Sequence, residues 1–111
     1  MSTPTEALNG LDLCVQEAAD LVEREYGPGQ RWCLVKHWTM LTVAGVGQPL
    51  LYAETVIHDS AGRFAQGEWV RTSPAVEPPA NGLFRTRNTL YILNGPGAAA
   101  STTPQVVLSL H

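Results

Sequence analysis

Two short spacings in this chain place residues that could do chemistry near one another. Cys33 and His37 could act as a thiol nucleophile and its general base, the imidazole taking the proton from sulfur. Four residues along a strand, however, hold two side chains about 13 Å apart, so this pair meets only if the strand breaks between them. His58 and Asp59 could pair as an imidazole oriented by a carboxylate for acid–base work. Such residues also collect at strand ends and turns for solubility and local hydrogen bonding, and no catalytic residue is assigned from either pair. Cys14 and Cys33 show no ligand spacing with His37, His58 or His111, so neither a metal site nor a cofactor is expected. Gly95-Pro96-Gly97 lacks the Lys-Ser/Thr and the following helix of a phosphate loop.

Two charged sets could instead recognise a partner. Arg71, Arg85 and Arg87, interleaved with Trp69, Phe84 and Tyr91, could form a basic aromatic face on which single-stranded nucleic acid stacks. The net charge of −3 and the pI near 5.5 weigh against nucleic acid, and core aromatics with solvated arginines are the favoured account. The opposite set lies in residues 1–26, where six carboxylates face a single arginine, a net of −5, while the remainder of the chain is net +2. Glu17, Asp20 and Glu23 mark this acidic surface. It reads either as a solvated outer face or as a surface that docks on a basic partner protein.

The elements that must carry these residues follow from pattern. At 111 residues the chain is one domain with a single modest core. Thr3-Pro4-Thr5-Glu6 matches a capping box, Asn9-Gly10 argues for a later start, and a helix is expected in either case from Leu11. Leu8, Leu11, Val15, Ala18 and Val22, widened by Cys14 and Leu21, form its apolar stripe, and Tyr26-Gly27-Pro28-Gly29 ends it. Arg31 to Val43 reads as a strand covered on both faces, with Cys33, Val35, His37, Thr39 and Leu41 opposed to Trp32, Leu34, Lys36, Trp38 and Met40. Leu50 to His58 forms the next strand, Asp59 to Arg63 a hairpin connection, and Gln66 to Ser73 a third strand stopped by Pro74. Glu77 to Gly82 is a stiff Pro-rich loop. Leu83 to Leu93 is either a hairpin turning at Arg87-Asn88 or one long strand, the latter preferred because neither turn position is glycine. Residues 98–104 read as a small-residue linker, and 105–111 as a terminal strand at the sheet edge or an arm that adds to a second copy.

The expected fold is therefore α+β: one N-terminal amphipathic helix (residues 1–29) packed on an antiparallel sheet of about four to six strands (residues 31–97). No basic n-region with an apolar run opens the chain and no run reaches membrane length, so a cytoplasmic protein with reduced, buried thiols and no membrane partner is expected.

The strings GEWVRTSP and GLFRTRNTLYILNGPG, with RWCLV and LLYAETVIHDSAGR before them, resemble a family of small uncharacterised bacterial and prophage proteins over residues 31–97. The resemblance implies a bacterial or phage setting and no activity, with the acidic helix and the tail as additions to the shared segment. With the acidic asymmetry, it leads to an expectation of a non-enzymatic protein–protein interaction protein. Such a protein would bind a host protein with a basic surface and block a defence or regulatory complex by anti-CRISPR-like occlusion. The alternative is a small nucleic-acid binder or enzyme using the arginine face; a homodimer through the C-terminal strand is also compatible.

Overall fold

The segment predicted as the start of a helix is extended instead. The computed structural model describes residues 6–108, so Thr3 and Pro4 of the capping box and His111 lie outside the described residues. Glu6–Leu8 form strand β1, and the chain continues without helix as far as Cys14. The Leu11 N–H donates to the Leu93 carbonyl at 2.8 Å, and its carbonyl accepts from the Gly95 N–H at 2.7 Å. The Asn94 side chain holds Leu13 at both ends, accepting from its N–H at 3.0 Å and donating to its carbonyl at 2.7 Å. Gly10 permits this approach, because a Cβ there would lie 2.4 Å from the carbonyl oxygens of Leu93 and Gly95. Leu8 and Leu11 match helical spacing by coincidence: tertiary hydrogen bonds outcompete a local pattern that Gly10 already weakens.

Helix α1 spans Val15–Tyr26 and begins on its own capping box. The Cys14 thiol accepts from the Glu17 N–H at 3.4 Å, and the Glu17 carboxylate accepts from the Cys14 N–H at 3.0 Å. Cys14 is consequently exposed, contrary to the expectation that both thiols are buried; Cys33 is fully buried.

The class is α+β, but the sheet has seven strands and is mixed. Strand β2 (Trp32–Val43) is its axis. Along one edge it pairs antiparallel with β3 (Leu50–Asp59). The other edge is shared end to end by β6 (Leu90–Asn94) and β7 (Gly97–Thr102), both parallel to β2. β1 adds outside β7, β5 (Leu83–Arg85) outside β6, and β4 (Val70–Arg71) outside β3. The third strand is thus shorter than predicted. Parallel pairing joins segments with no local connection, so turn signals cannot announce it.

Three further expectations are corrected. Leu83 to Leu93 is a hairpin: the Thr86 N–H donates to the Thr89 carbonyl at 2.9 Å, and its hydroxyl to the same oxygen at 3.3 Å. Neither Arg87 nor Asn88 has a positive φ, so this turn needs no glycine. The supposed linker 98–104 falls largely within β7, whose small residues lie between β1 and β2, with Gly97 against the Trp38 ring. The supposed terminal strand is helix α2, Pro104–Leu108, with Pro104 at its first position and the Thr103 hydroxyl accepting from the Val106 N–H at 3.4 Å. Its Val107 packs on Leu41 and Val43. Residues 109–111 of that segment lie outside the described residues.

β2 is covered on both faces as expected, but its face assignment changes midway. His37 has φ 55°, a left-handed conformation uncommon for a residue with a Cβ. Cys33 and Val35 therefore share a core cluster with Trp38 and Met40, while Trp32 and Leu34 face Ala18 and Val22 of α1. Opposite, β3 carries a bulge at Ile57, between the pairs Leu34↔His58 and Val35↔Val56. His37→Gly is expected to leave stability unchanged or raise it by up to about 1 kcal/mol, and His37→Val to lower it by about 1–3 kcal/mol, compared by urea midpoints.

The larger core lies on the side away from α1. Phe84, Tyr91, Leu93, Val70 and Ala75 meet Cys33, Val35, Leu51 and Val56 there. Backbone bonds from Thr72 to Leu51, Ala75 to Pro49 and Val76 to Arg85 carry the chain from β3 across to β5 and enclose this core.

Candidate functional site

The residues that could have done covalent or acid–base chemistry are engaged in holding the fold. Cys33 is buried, and desolvation, reinforced by the nearby Asp59 charge and partly opposed by Arg63, pushes its thiol up to about 12. That is the reverse of what a nucleophilic cysteine needs. His37 is exposed, with its Nδ1 3.3 Å from the Thr55 hydroxyl. Asp59 does not orient His58. Its carboxylate accepts from Arg63 Nη2 at 2.9 Å, Arg63 Nε at 3.1 Å and the Arg63 N–H at 2.6 Å, while Arg63 Nη1 donates to the Thr89 hydroxyl at 2.9 Å. Burial opposes ionisation of Asp59, but these bonds and the Arg63 charge outweigh it and hold the carboxyl below its ordinary value. His58 instead lies over Trp32, ring centres 5.2 Å apart. Among the described residues no group of three or more His, Cys, Asp or Glu is placed to hold a metal ion.

The arginine face is not assembled. Phe84 and Tyr91, two of its three aromatics, are core residues in edge-to-face contact at 6.4 Å. Trp69 is 40% exposed and lies near Tyr52 on β3, 6.3 Å between ring centres. Arg71 donates to the Val107 carbonyl near the end of α2 at 2.5 Å, and Arg85, on a strand beyond β6, pairs with Glu77 at 2.9 Å. Arg87 is exposed at the hairpin tip. Two of the three rings point into the core, as the favoured account of core aromatics has it.

The acidic set divides by role. Glu17 belongs to the start of α1, and its bonds to Cys14 hold its carboxyl below the ordinary carboxylate range. Asp20 and Glu23 are exposed on the outer side of the helix, Asp20 accepting from Gln16 Nε2 at 3.0 Å.

Where α1 ends, a groove opens that the sequence did not announce. It measures about 650 Å³ along the helix, between Leu21, Glu25 and Tyr26 on one side and Glu77, Asn81, Leu83 and Arg85 on the other. A second lobe of about 240 Å³ continues it under Pro78 and Pro79. Two left-handed residues shape the far wall: Asn81 at φ 55° and Gly82 at φ 75°, the latter so close to Leu11 that a Cβ would sit 2.7 Å from the Leu11 Cγ. The stiff Pro-Pro loop and the Asn-Gly turn were legible as a rigid exposed bend; their approach to Tyr26 was not.

These features define a small α+β domain whose sheet carries the capped helix α1 on one face, with a surface groove beside that helix's C-terminus. The chain belongs to the family described as a domain of unknown function (DUF6957), which it matches over residues 9–109. The match includes α1 and α2, so helix and tail are parts of the family domain rather than additions to it. No curated protein and no solved structure matches it. No helix among the described residues is long and apolar enough to cross a membrane.

Proposed function

We propose that this chain is a non-enzymatic protein–protein interaction protein that binds a host protein with a basic surface and acts by covering it. The observation that carries this reading is the outer side of α1, where Asp20 and Glu23 stand exposed; Leu21, Glu25 and Tyr26 of the same helix line a groove at its last turn. The engaged state of Cys33, Asp59 and Arg63 supports it further, since the groups most suited to chemistry serve the core. A bacterial or phage origin, a cytoplasmic setting and a defence or regulatory complex as the target are the finer parts of the proposal, supported by the resemblance of residues 31–97. An acidic helix speeds encounter with a basic partner and penalises wrong ones.

Capture from a bacterial lysate at low and moderate salt tests the reading. The wild-type chain is expected to recover a stoichiometric partner. Asp20→Lys with Glu23→Lys is expected to weaken that capture at least about tenfold, while Arg87→Glu leaves it unchanged. Glu17 is left intact because its replacement would uncap α1. Failure to recover any partner, or recovery indifferent to the double reversal, overturns the proposal.

A further inference from the structure

We infer that the groove at the end of α1 takes an extended segment of the partner in which a basic side chain is flanked by apolar ones. The inference rests on the reading of the chain as an interaction protein and names what that protein grips. Three observations carry it.

The first is charge. Glu25 and Glu77 both line the groove against a single lining cation, Arg85, which pairs with Glu77 at 2.9 Å, so the lining is net −1; the excess carboxylate, Glu25, meets the exposed Arg24 beside it on the helix, at 3.5 Å. The C-terminus of α1 lies at Tyr26 and adds the negative end of the helix dipole. A guanidinium or ammonium group is complementary to that field, and a carboxylate is opposed by it.

The second is the lining between the charges. Leu21, Tyr26 and Leu83 present apolar surface, Tyr26 remaining 36% exposed although it borders both lobes. An aromatic ring facing two prolines makes a wall with little side-chain freedom to lose on binding.

The third is shape. The two lobes, about 650 and 240 Å³, share Tyr26, Glu77, Asn81, Leu83 and Arg85, so they form one continuous trough rather than separate cups. An extended chain rising about 3.3 Å per residue can lie along such a trough and set alternate side chains into it. Added-strand pairing is not the means: the outer edge of β5 is already bonded, Val76 donating to Arg85 at 2.9 Å and Ala80 pairing with Leu83.

The test titrates the full ¹⁵N-labelled chain with two pools of capped pentapeptides, random at four positions and fixed at the centre as arginine or as glutamate, with arginine amide as a third probe. The arginine pool is expected to shift the amides of Tyr26, Asn81 and Leu83 saturably, at least about tenfold more tightly than the glutamate pool or arginine amide. Glu25→Lys and Tyr26→Ala, both at exposed positions, are each expected to weaken it at least about fivefold with the spectrum otherwise preserved. Equal binding of the two pools, shifts mapping elsewhere, or arginine amide matching the arginine pool overturns the inference. The two proposals fail separately. Lysate capture that survives Tyr26→Ala but not the Asp20 and Glu23 reversals overturns the groove assignment and keeps the interaction reading. Pool binding without any captured partner does the opposite.

Discussion

Asp59→Ala is expected to lower the stability of the chain by about 3–5 kcal/mol, among the largest effects available from one side chain. Asp59 has no exposed side-chain surface, while Arg63 keeps 31% of its own. Removing the carboxylate leaves a partly buried guanidinium with the Thr89 hydroxyl as its remaining side-chain hydrogen-bond partner and the Phe64 ring 5.3 Å away, and removes the acceptor of the Arg63 N–H. The residual exposure of Arg63 lets water compensate in part, which favours the lower end of that range. Asp59→Asn, which keeps the shape and one acceptor, is expected to recover part of the loss. The effect also has a pH signature. The Asp59 carboxyl titrates lower in the folded chain than in the unfolded one, so its contribution is complete above about pH 4, the unfolded value, and disappears as pH falls through the folded value. Urea midpoints of wild type and Asp59→Ala should therefore differ most near neutrality and converge in acid. A gap that stays constant from pH 7 down to pH 2 would mean that the carboxylate charge is not what stabilises this corner.

Gly97→Val is the second large effect, expected to cost at least about 3 kcal/mol. A Cβ on Gly97 would lie 2.3 Å from both Cδ2 and Cε2 of Trp38. The indole cannot swing away cheaply: it is 98% buried, by its 2% exposure, and its Nε1 donates to the Asn94 carbonyl at 3.1 Å. β7 cannot withdraw either, because it is paired on both sides, with β1 and β2. Gly97→Ala should show a smaller loss of the same kind, and Trp38→Phe combined with Gly97→Ala should be less damaging than the two single losses added, since the smaller ring yields space. Thermal melts of the four proteins decide this; strict additivity would show that the glycine is not there for the ring.

Both effects sit on residues whose sequence neighbourhood suggested something else. Asp59 and Gly62 were readable as a hairpin opening, and they do close one, Gly62 N–H donating to the Asp59 carbonyl at 3.0 Å. That the same aspartate anchors Arg63 beneath Thr89 depends on a residue 26 positions from Arg63. Gly97 is the last residue of the segment 31–97 expected to hold the sheet, and Gly-Pro-Gly is a local turn signal. Gly97 is instead the first residue of β7, and Pro96 marks the step where β2 changes partner from β6 to β7.

The sequence by itself determined the α+β class, the helix ending at Tyr26-Gly27, the doubly covered strand through Trp32–Val43 and the strand beginning at Leu50. In each case a periodic apolar pattern or a turn residue acts within a few positions of where it is written. The tertiary structure decided what local signals cannot encode. Parallel pairing of β6 and β7 to β2 drew an alanine run into the sheet. Asn94 pulled residues 11–13 out of the helix, and Thr103-Pro104 started a helix in a segment whose paired valines favour strand. His37 turned one face of β2 into the other through a single backbone angle. The groove beside Tyr26 is of the same kind. Its walls come from residues 11–26 and 77–90, and only packing α1 on the β5–β6 side of the sheet brings their charges and rings to one place.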